Sequence, residues 1–221
     1  MTVLDPRLNA YRPDLAEARL AGQVAARRYV APETWQVARP VVSVHKSPRA
    51  DAMQLTQALL GERVEVFERS NGWAWVRLVK DGYVGYVAED ALTDRVTAPT
   101  HRVAVPSTFS YPAASLKTQP VAILTLNAAV TVVAADGKFS QLADGRWVFS
   151  DHLKRVDQPE ADFVAVAQRF LHVPYYWGGK SAQGLDCSGL VQLSLEAAGR
   201  SAPRDSDMQE EALGTRIFPN D

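Results

Sequence analysis

The first two-thirds of this sequence reads twice. Ser47-Pro48 is answered by Tyr111-Pro112, Leu55-Thr56-Gln57 by Leu116-Lys117-Thr118-Gln119, and Val64-Glu65-Val66 by Val130-Thr131-Val132. Tyr86-Val87-Ala88-Glu89-Asp90-Ala91-Leu92 is answered by Trp147-Val148-Phe149-Ser150-Asp151-His152-Leu153. The matched pairs keep their order and stand roughly 60–65 residues apart, the mark of a duplicated unit of that size. Val64-Glu65-Val66-Phe67, Trp73-Ala74-Trp75-Val76 and Tyr83-Val84-Gly85-Tyr86-Val87 are short β-prone runs, parted by the turn clusters Ser70-Asn71-Gly72 and Lys80-Asp81-Gly82. Short strands so closely spaced predict a small barrel or sandwich. The second copy is more worn, with Lys138-Phe139-Ser140-Gln141-Leu142 in place of Gly72-Trp73-Ala74-Trp75-Val76.

The flanks follow different patterns. Before the first copy, Pro13 suits the first turn of a short helix. Leu15 and Ala18 would form its apolar face and Gly22 its stop. From about residue 158 the period turns helical, with Phe163, Val166, Ala167 and Phe170 on one face and Pro174 as the end. A loop rich in glycine and aromatics runs from Tyr175 to Leu185. Asp186 then N-caps a second helix, with Leu190, Val191, Ser194 and Leu195 on its buried face and Gly199 as its stop. The expected organisation is an arm at 1–35, β domains at 36–97 and 98–157, and a helix-led domain at 158–221.

Several function classes drop out. A formal net charge of −1 over 221 residues offers no general attraction for nucleic acid or an anionic membrane. Trp73, Trp75, Trp147 and Trp177 lack the interleaved basic residues of a nucleic-acid platform. No run of about eighteen apolar residues exists to span a membrane. One cysteine and four scattered histidines make no metal-ligand spacing, Gly178-Gly179 does not continue into a phosphate loop, and no cofactor is expected. The start, Met1-Thr2-Val3-Leu4-Asp5-Pro6-Arg7, has no basic and apolar leader pattern. The expected location is therefore the cytoplasm, with an exported form whose signal has been removed as the alternative.

Cys187 is the residue with chemistry. At the start of a helix it meets unsatisfied N–H groups and partial positive charge, both of which favour the thiolate. Its own N–H is placed to donate to an oxyanion on an attacked carbonyl, and Ser188 and Gly189 leave the site uncrowded. The bland alternative is an inert core cysteine.

Three ordered blocks decide between the two. Pro174-Tyr175-Tyr176-Trp177-Gly178-Gly179, Gly184-Leu185-Asp186-Cys187-Ser188-Gly189-Leu190-Val191-Gln192 and Pro203-Arg204-Asp205-Ser206 together resemble the NlpC/P60 family of cell-wall cysteine peptidases. The repeated β units resemble bacterial SH3-like domains. The pair of them ahead of such a domain is similar to the cytoplasmic γ-D-glutamyl-L-diamino acid endopeptidases that recycle murein peptides. The resemblance implies two small all-β barrels followed by a papain-like α+β domain. It implies that Cys187 attacks the amide between γ-D-Glu and diaminopimelate (or Lys) to form an acyl-enzyme. Tyr175 would line the site and help hold the oxyanion. Asp186, Ser188 and Ser206 would hold the substrate, with Asp186 and Ser206 at the free amino group of an N-terminal L-Ala, although Asp186 serves equally as a helix cap alone. Tyr83 would close the substrate end, with Asp51 as a weaker second contact; the competing role for Tyr83 is a half-buried strand aromatic.

The family's catalytic histidine follows the cysteine. Here His45, His101, His152 and His172 all precede Cys187. The expectation is a chain that stops before the β-half of its catalytic domain and leaves apolar helix faces uncovered. A β-half supplied by another chain, or a degenerate wall-peptide or protein binder, are the alternatives, as is another acyl-transfer enzyme on the same scaffold.

Overall fold

The computed structural model describes residues 4–215. The arm does not form the helix expected after Pro13. β1 (Ala16–Glu17) pairs in parallel with β2 (Tyr29–Val30), and only a 310 turn at Ala18–Leu20 lies between them. Leu15, Ala16 and Glu17 are all buried in succession. A helix would turn one of the three to solvent, so tertiary burial overrides local propensity. Ala10 and Leu15 pack on Phe67, Trp75 and Val84 of the following sheet. Glu17 meets Arg77 there in an ion pair.

Seven antiparallel strands build the first β unit: β3 (Glu33–Val37), β4 (Val41–His45), β5 (Gln54–Leu59), β6 (Arg63–Ser70), β7 (Trp73–Leu78), β8 (Val84–Ala88) and β9 (Leu92–Thr93). Their order is β5-β4-β8-β7-β6-β3-β9. The sheet thus begins at Glu33, inside the segment expected to be arm. Val37, Val42, Val44, Val64, Val66, Val76 and Val87 form its core, the β-branched filling that suits a pleated, buried face.

The second unit comprises β10 (His101–Val103), β11 (Ser107–Tyr111), β12 (Ala122–Thr125), β13 (Ala129–Val130), β14 (Val132–Asp136), β15 (Phe139–Leu142), β16 (Trp147–Phe149) and β17 (Leu153–Arg155). It splits into a five-stranded sheet, β12-β11-β16-β15-β14, and a three-stranded one, β13-β10-β17. The sequence repeat has a geometric counterpart. The β6–β7 ladder bulges between Val66 and Glu68, and the β14–β15 ladder bulges at the matched place between Val132 and Ala134. A 310 turn follows β8 at Glu89–Ala91 and follows β16 at Ser150–His152. The units touch where Ala129 N–H donates to Leu60 O at 2.8 Å. A Cβ on Gly61 would fall 2.1 Å from Ala129 O, so only glycine admits this contact.

The remaining part carries α1 (Phe163–Gln168), β18 (Lys180–Ser181), β19 (Gly184–Leu185), α2 (Cys187–Ala197) and α3 (Ser206–Ala212). Val166, Phe170, Leu193 and Ala197 from α1 and α2 meet Leu59 of the first β unit and Leu126 of the second in one cluster. The inner faces of both helices are therefore closed by the two β units, while Phe163, Val164 and Val191 stay exposed, so part of the apolar helix surface is uncovered as expected, and Phe163 and Val191 fall outside the buried faces assigned to them. No helix of the described residues is long and apolar enough to cross a membrane.

Candidate active site

Asp186 sets the start of α2. Its backbone is extended (φ −94°, ψ 176°), and its Oδ1 accepts from the N–H of Gly189 at 2.7 Å. This is an N-cap in which one orphan donor of the first turn is satisfied. Cys187 follows as the first helical residue, with its thiol exposed. The N–H groups of Cys187 and Ser188 donate to no described residue. Two free donors beside an exposed thiol are what a developing oxyanion needs. Gly189 is required by packing, because a Cβ there would lie 2.3 Å from Gly179 O.

Beneath this turn lies a buried ion pair. Arg204, 1% exposed, donates to Asp186 Oδ1 at 3.0 Å and Oδ2 at 2.7 Å, to Ser188 Oγ at 2.8 Å and, through Nε, to Thr56 Oγ1 at 2.6 Å. Asp186 Oδ2 also accepts from Gly178 N–H at 2.9 Å. Thr56 belongs to β5, an edge strand of the first sheet. Its neighbours complete the seam: Gln57 Oε1 accepts from Lys180 N–H at 2.8 Å, and Gln54 Nε2 donates to Trp177 O at 2.8 Å. The sheet edge is thereby covered instead of left open for pairing.

A second polar cluster sits behind α2. Lys180, fully buried, lies 3.3 Å from Glu62 Oε1 and 3.4 Å from Glu196 Oε1. Lys80 joins Glu196 at 2.7 Å, and Gln192 donates to Asp81 at 2.9 Å. Burial alone would neutralise Lys180, but Glu196, Glu62 and Asp81 hold it charged, above the ordinary lysine value. Burial pushes the Asp81 carboxyl up, against the attraction of Lys180. Both clusters join the first β unit to α2 and its approach.

The residues expected at the site fall into two groups. Tyr175, 66% exposed, bridges to Leu185 through its backbone and so flanks the entry to α2. Ser206 opens α3 and is exposed. Both are exposed. Ser188 is buried, its hydroxyl turned inward between Arg204 and Asp186. Both oxygens of Asp186 are occupied by protein donors. Tyr83 is buried, and its hydroxyl donates to Asp205 Oδ2 at 3.0 Å; Arg7 shares the same oxygen at 2.8 Å. Burial, then the Asp205 charge, push the Tyr83 phenol up. Asp51 is on the surface, paired with Arg49.

No described histidine hydrogen-bonds Cys187. His45 Nδ1 meets Ala52 O, His101 meets Thr100, His152 meets Thr108, and His172 takes a left-handed φ of 71° after α1. Among the described residues no group of His, Cys, Asp and Glu gathers as a metal site.

Sequence reasoning gave no role to Arg204, Lys180, Gln54, Thr56 or Gln57. A signal existed for the last three: Gln54-Leu55-Thr56-Gln57 is unusually polar for a strand that ends in Ala58-Leu59. Arg204 stands in the block Pro203-Arg204-Asp205-Ser206, which marks the position but not its burial, and Lys180 gave no signal, since cations of their type are ordinarily solvated.

Comparison with known proteins places these features. Residues 44–92 match the bacterial dipeptidyl-peptidase Sh3 domain, and residues 172–221 match the NlpC/P60 family. A γ-D-glutamyl-L-lysine dipeptidyl-peptidase of Bacillus subtilis is 30% identical over 172 residues, covering 71% of this chain and 57% of that protein. Its counterpart in Bacillus cereus is 28% identical over 177 residues, covering 70% of this chain and 53% of that protein. The chain thus spans little more than half the length of these relatives. A crystal structure of an NlpC/P60 family protein from Bacillus cereus shares the fold with a TM-score of 0.71 at 22% identity, covering 85% of this chain and 79% of that one.

Proposed function

We propose that this chain, which carries an NlpC/P60 domain behind a bacterial dipeptidyl-peptidase SH3 domain, is the nucleophile-bearing part of a cysteine peptidase acting on murein peptides. The bond cut is the amide between γ-D-Glu and diaminopimelate (or Lys), in short peptides with a free N-terminal L-Ala, and the setting is cell-wall peptide recycling in the cytoplasm. The second β unit is a diverged copy of the first SH3-like barrel. The observation that carries the reading is an exposed Cys187 at the start of α2, where the N–H groups of Cys187 and Ser188 have no partner among the described residues.

In this reading Cys187 Sγ attacks the carbonyl and the N–H groups of Cys187 and Ser188 hold the oxyanion. Tyr175 lines the cleft. Ser206 and the Tyr83–Asp205 pair stand at the amino end of the peptide. Asp186 and Ser188 support the helix start. The base is none of His45, His101, His152 and His172.

The test is hydrolysis of L-Ala-γ-D-Glu-diaminopimelate and its Lys analogue by the full-length encoded protein, followed by mass spectrometry. Release of L-Ala-γ-D-Glu, lost in Cys187→Ala, is the expected result. No turnover with an intact Cys187 sinks the proposal. The one other reading is a wall-peptide or protein binder on the same two domains. Binding that survives Cys187→Ala with no turnover in any form would select it.

A further inference from the structure

The buried guanidinium under Cys187 does more than join α2 to the first β unit. Asp186 is the carboxylate next in sequence to Cys187. Left uncompensated, its charge would oppose a thiolate one residue away and cancel the benefit of the helix N-terminus. It is not left so. Arg204 meets both of its oxygens in a fork-to-fork pair, the strong and orientationally fixed form of this contact. The same guanidinium holds Ser188 Oγ, on the other side of Cys187, and Thr56 of strand β5.

We infer that Arg204 is a positioning residue for Cys187: it cancels the Asp186 charge beside the thiol and locks the first turn of α2 to the first β unit. The inference rests on the reading of Cys187 as the nucleophile. It also moves Asp186 out of substrate recognition. Oδ1 already accepts from Gly189 N–H, Arg204 Nη1 and Ser188 Oγ, and Oδ2 from Arg204 Nη2 and Gly178 N–H. A peptide ammonium would have to displace a buried, charge-assisted bond to reach either oxygen.

Cys187 is the only cysteine, so its alkylation rate with iodoacetamide at fixed pH reads the thiol directly and needs no turnover. Arg204→Ala exposes Cys187 to an uncompensated Asp186 and is expected to slow alkylation roughly tenfold. Added methylguanidinium should restore part of that loss. Arg204→Lys keeps the charge without the fork and should slow it by a smaller factor. Asp186→Asn leaves the cation in excess and should speed alkylation. Circular dichroism reports which variants fold. If Arg204→Ala does not fold, Arg204→Lys and Asp186→Asn carry the test.

Wild-type alkylation rates in the folded Arg204 variants would overturn the inference. So would slowing in Asp186→Asn as well, because a common loss of structure would then explain both. Protection of Cys187 by L-Ala-γ-D-Glu that is lost in Asp186→Asn but kept in Arg204→Lys would return Asp186 to the substrate and also overturn it. Absence of peptide hydrolysis beside the expected alkylation pattern would refute the proposed function and leave this inference standing.

Discussion

Ala88 and Phe149 stand at matched points of the two β units with nearly the same backbone, φ −61° and ψ 128° against φ −61° and ψ 124°. Around that shared plan the two surfaces differ. The first unit sends Gln54, Thr56, Gln57, Glu62 and Asp81 into the junction with α2 and its approach. The second contacts the helical part through Asn127 Nδ2 to Leu193 O, Arg102 Nη2 to Ala197 O and the apolar Leu126. The first unit's aromatic face lies under the arm, where Arg12 stacks 4.3 Å over Trp75. The matched face of the second has no arm, and Val133, at the place of Phe67, is 61% exposed. The two β units share local backbone at matched points, while the surface of each answers to its own neighbour.

The sharpest test of this contrast is Lys180→Met. It removes the fully buried cation and leaves Glu62 and Glu196 only the partly exposed Lys80, a loss expected to cost about 3–5 kcal/mol in urea unfolding. Arg102→Met at the second junction should cost less, about 1–2 kcal/mol. Arg102 Nη1 already lacks a partner, and Glu160 keeps Lys154 at 2.8 Å and Arg169 at 3.1 Å. Equal losses would erase the distinction between the junctions.

The arm provides the next contrast. Leu15→Ala opens a hole between the arm and Trp75 and should cost about 2–4 kcal/mol. Val133→Ala on the bare counterpart should stay within about 0.5 kcal/mol. Tyr83→Phe removes a donor from Asp205 and should cost about 1 kcal/mol, whereas Tyr111→Phe, whose hydroxyl donates to no described residue, should be nearly neutral.

Acid should act on the two junctions with opposite sign. Burial raises the Asp81 carboxyl above its unfolded value. The folded state therefore takes up a proton before the unfolded state does, and stability gains as pH falls through the folded value. At Glu160 burial works against ionisation, but Lys154 and Arg169 prevail and hold the carboxyl below its ordinary 4.5. Its contribution is present above that value and is lost as pH falls through the lower, folded one. The pH dependence of the urea midpoint should lose the first limb in Asp81→Asn and the second in Glu160→Gln. An unchanged profile in either variant refutes that assignment.

Much of this was legible in sequence order. The repeat, the turn clusters, the cap at Asp186 and the helix opening at Cys187 are all local, set by period and by residues within a few positions of one another. The arm differs because Leu15 and Ala18 after Pro13 fit one helical face, and only the sheet on which Leu15 packs makes Leu15, Ala16 and Glu17 all buried. Ser188 was misplaced for a similar reason: its motif neighbours locate it beside Cys187 but carry no information on which way its hydroxyl turns. Arg204 and Lys180 lie 148 and 118 residues from partners on the first β unit, and no periodicity reaches that far.

By itself the sequence determined an ordered β-rich repeat and a cysteine at a helix start, because backbone preference, turn chemistry and capping act over short stretches. Only the tertiary structure decided that Asp186 is already satisfied, that a buried arginine stands behind Cys187, and that the first β unit builds the seam while the second supports the back of α2. Those outcomes depend on removing charged groups from water together. Desolvation makes a lone buried ion untenable and a compensated one stable, and the partners that compensate it come from segments that meet only when the chain has folded.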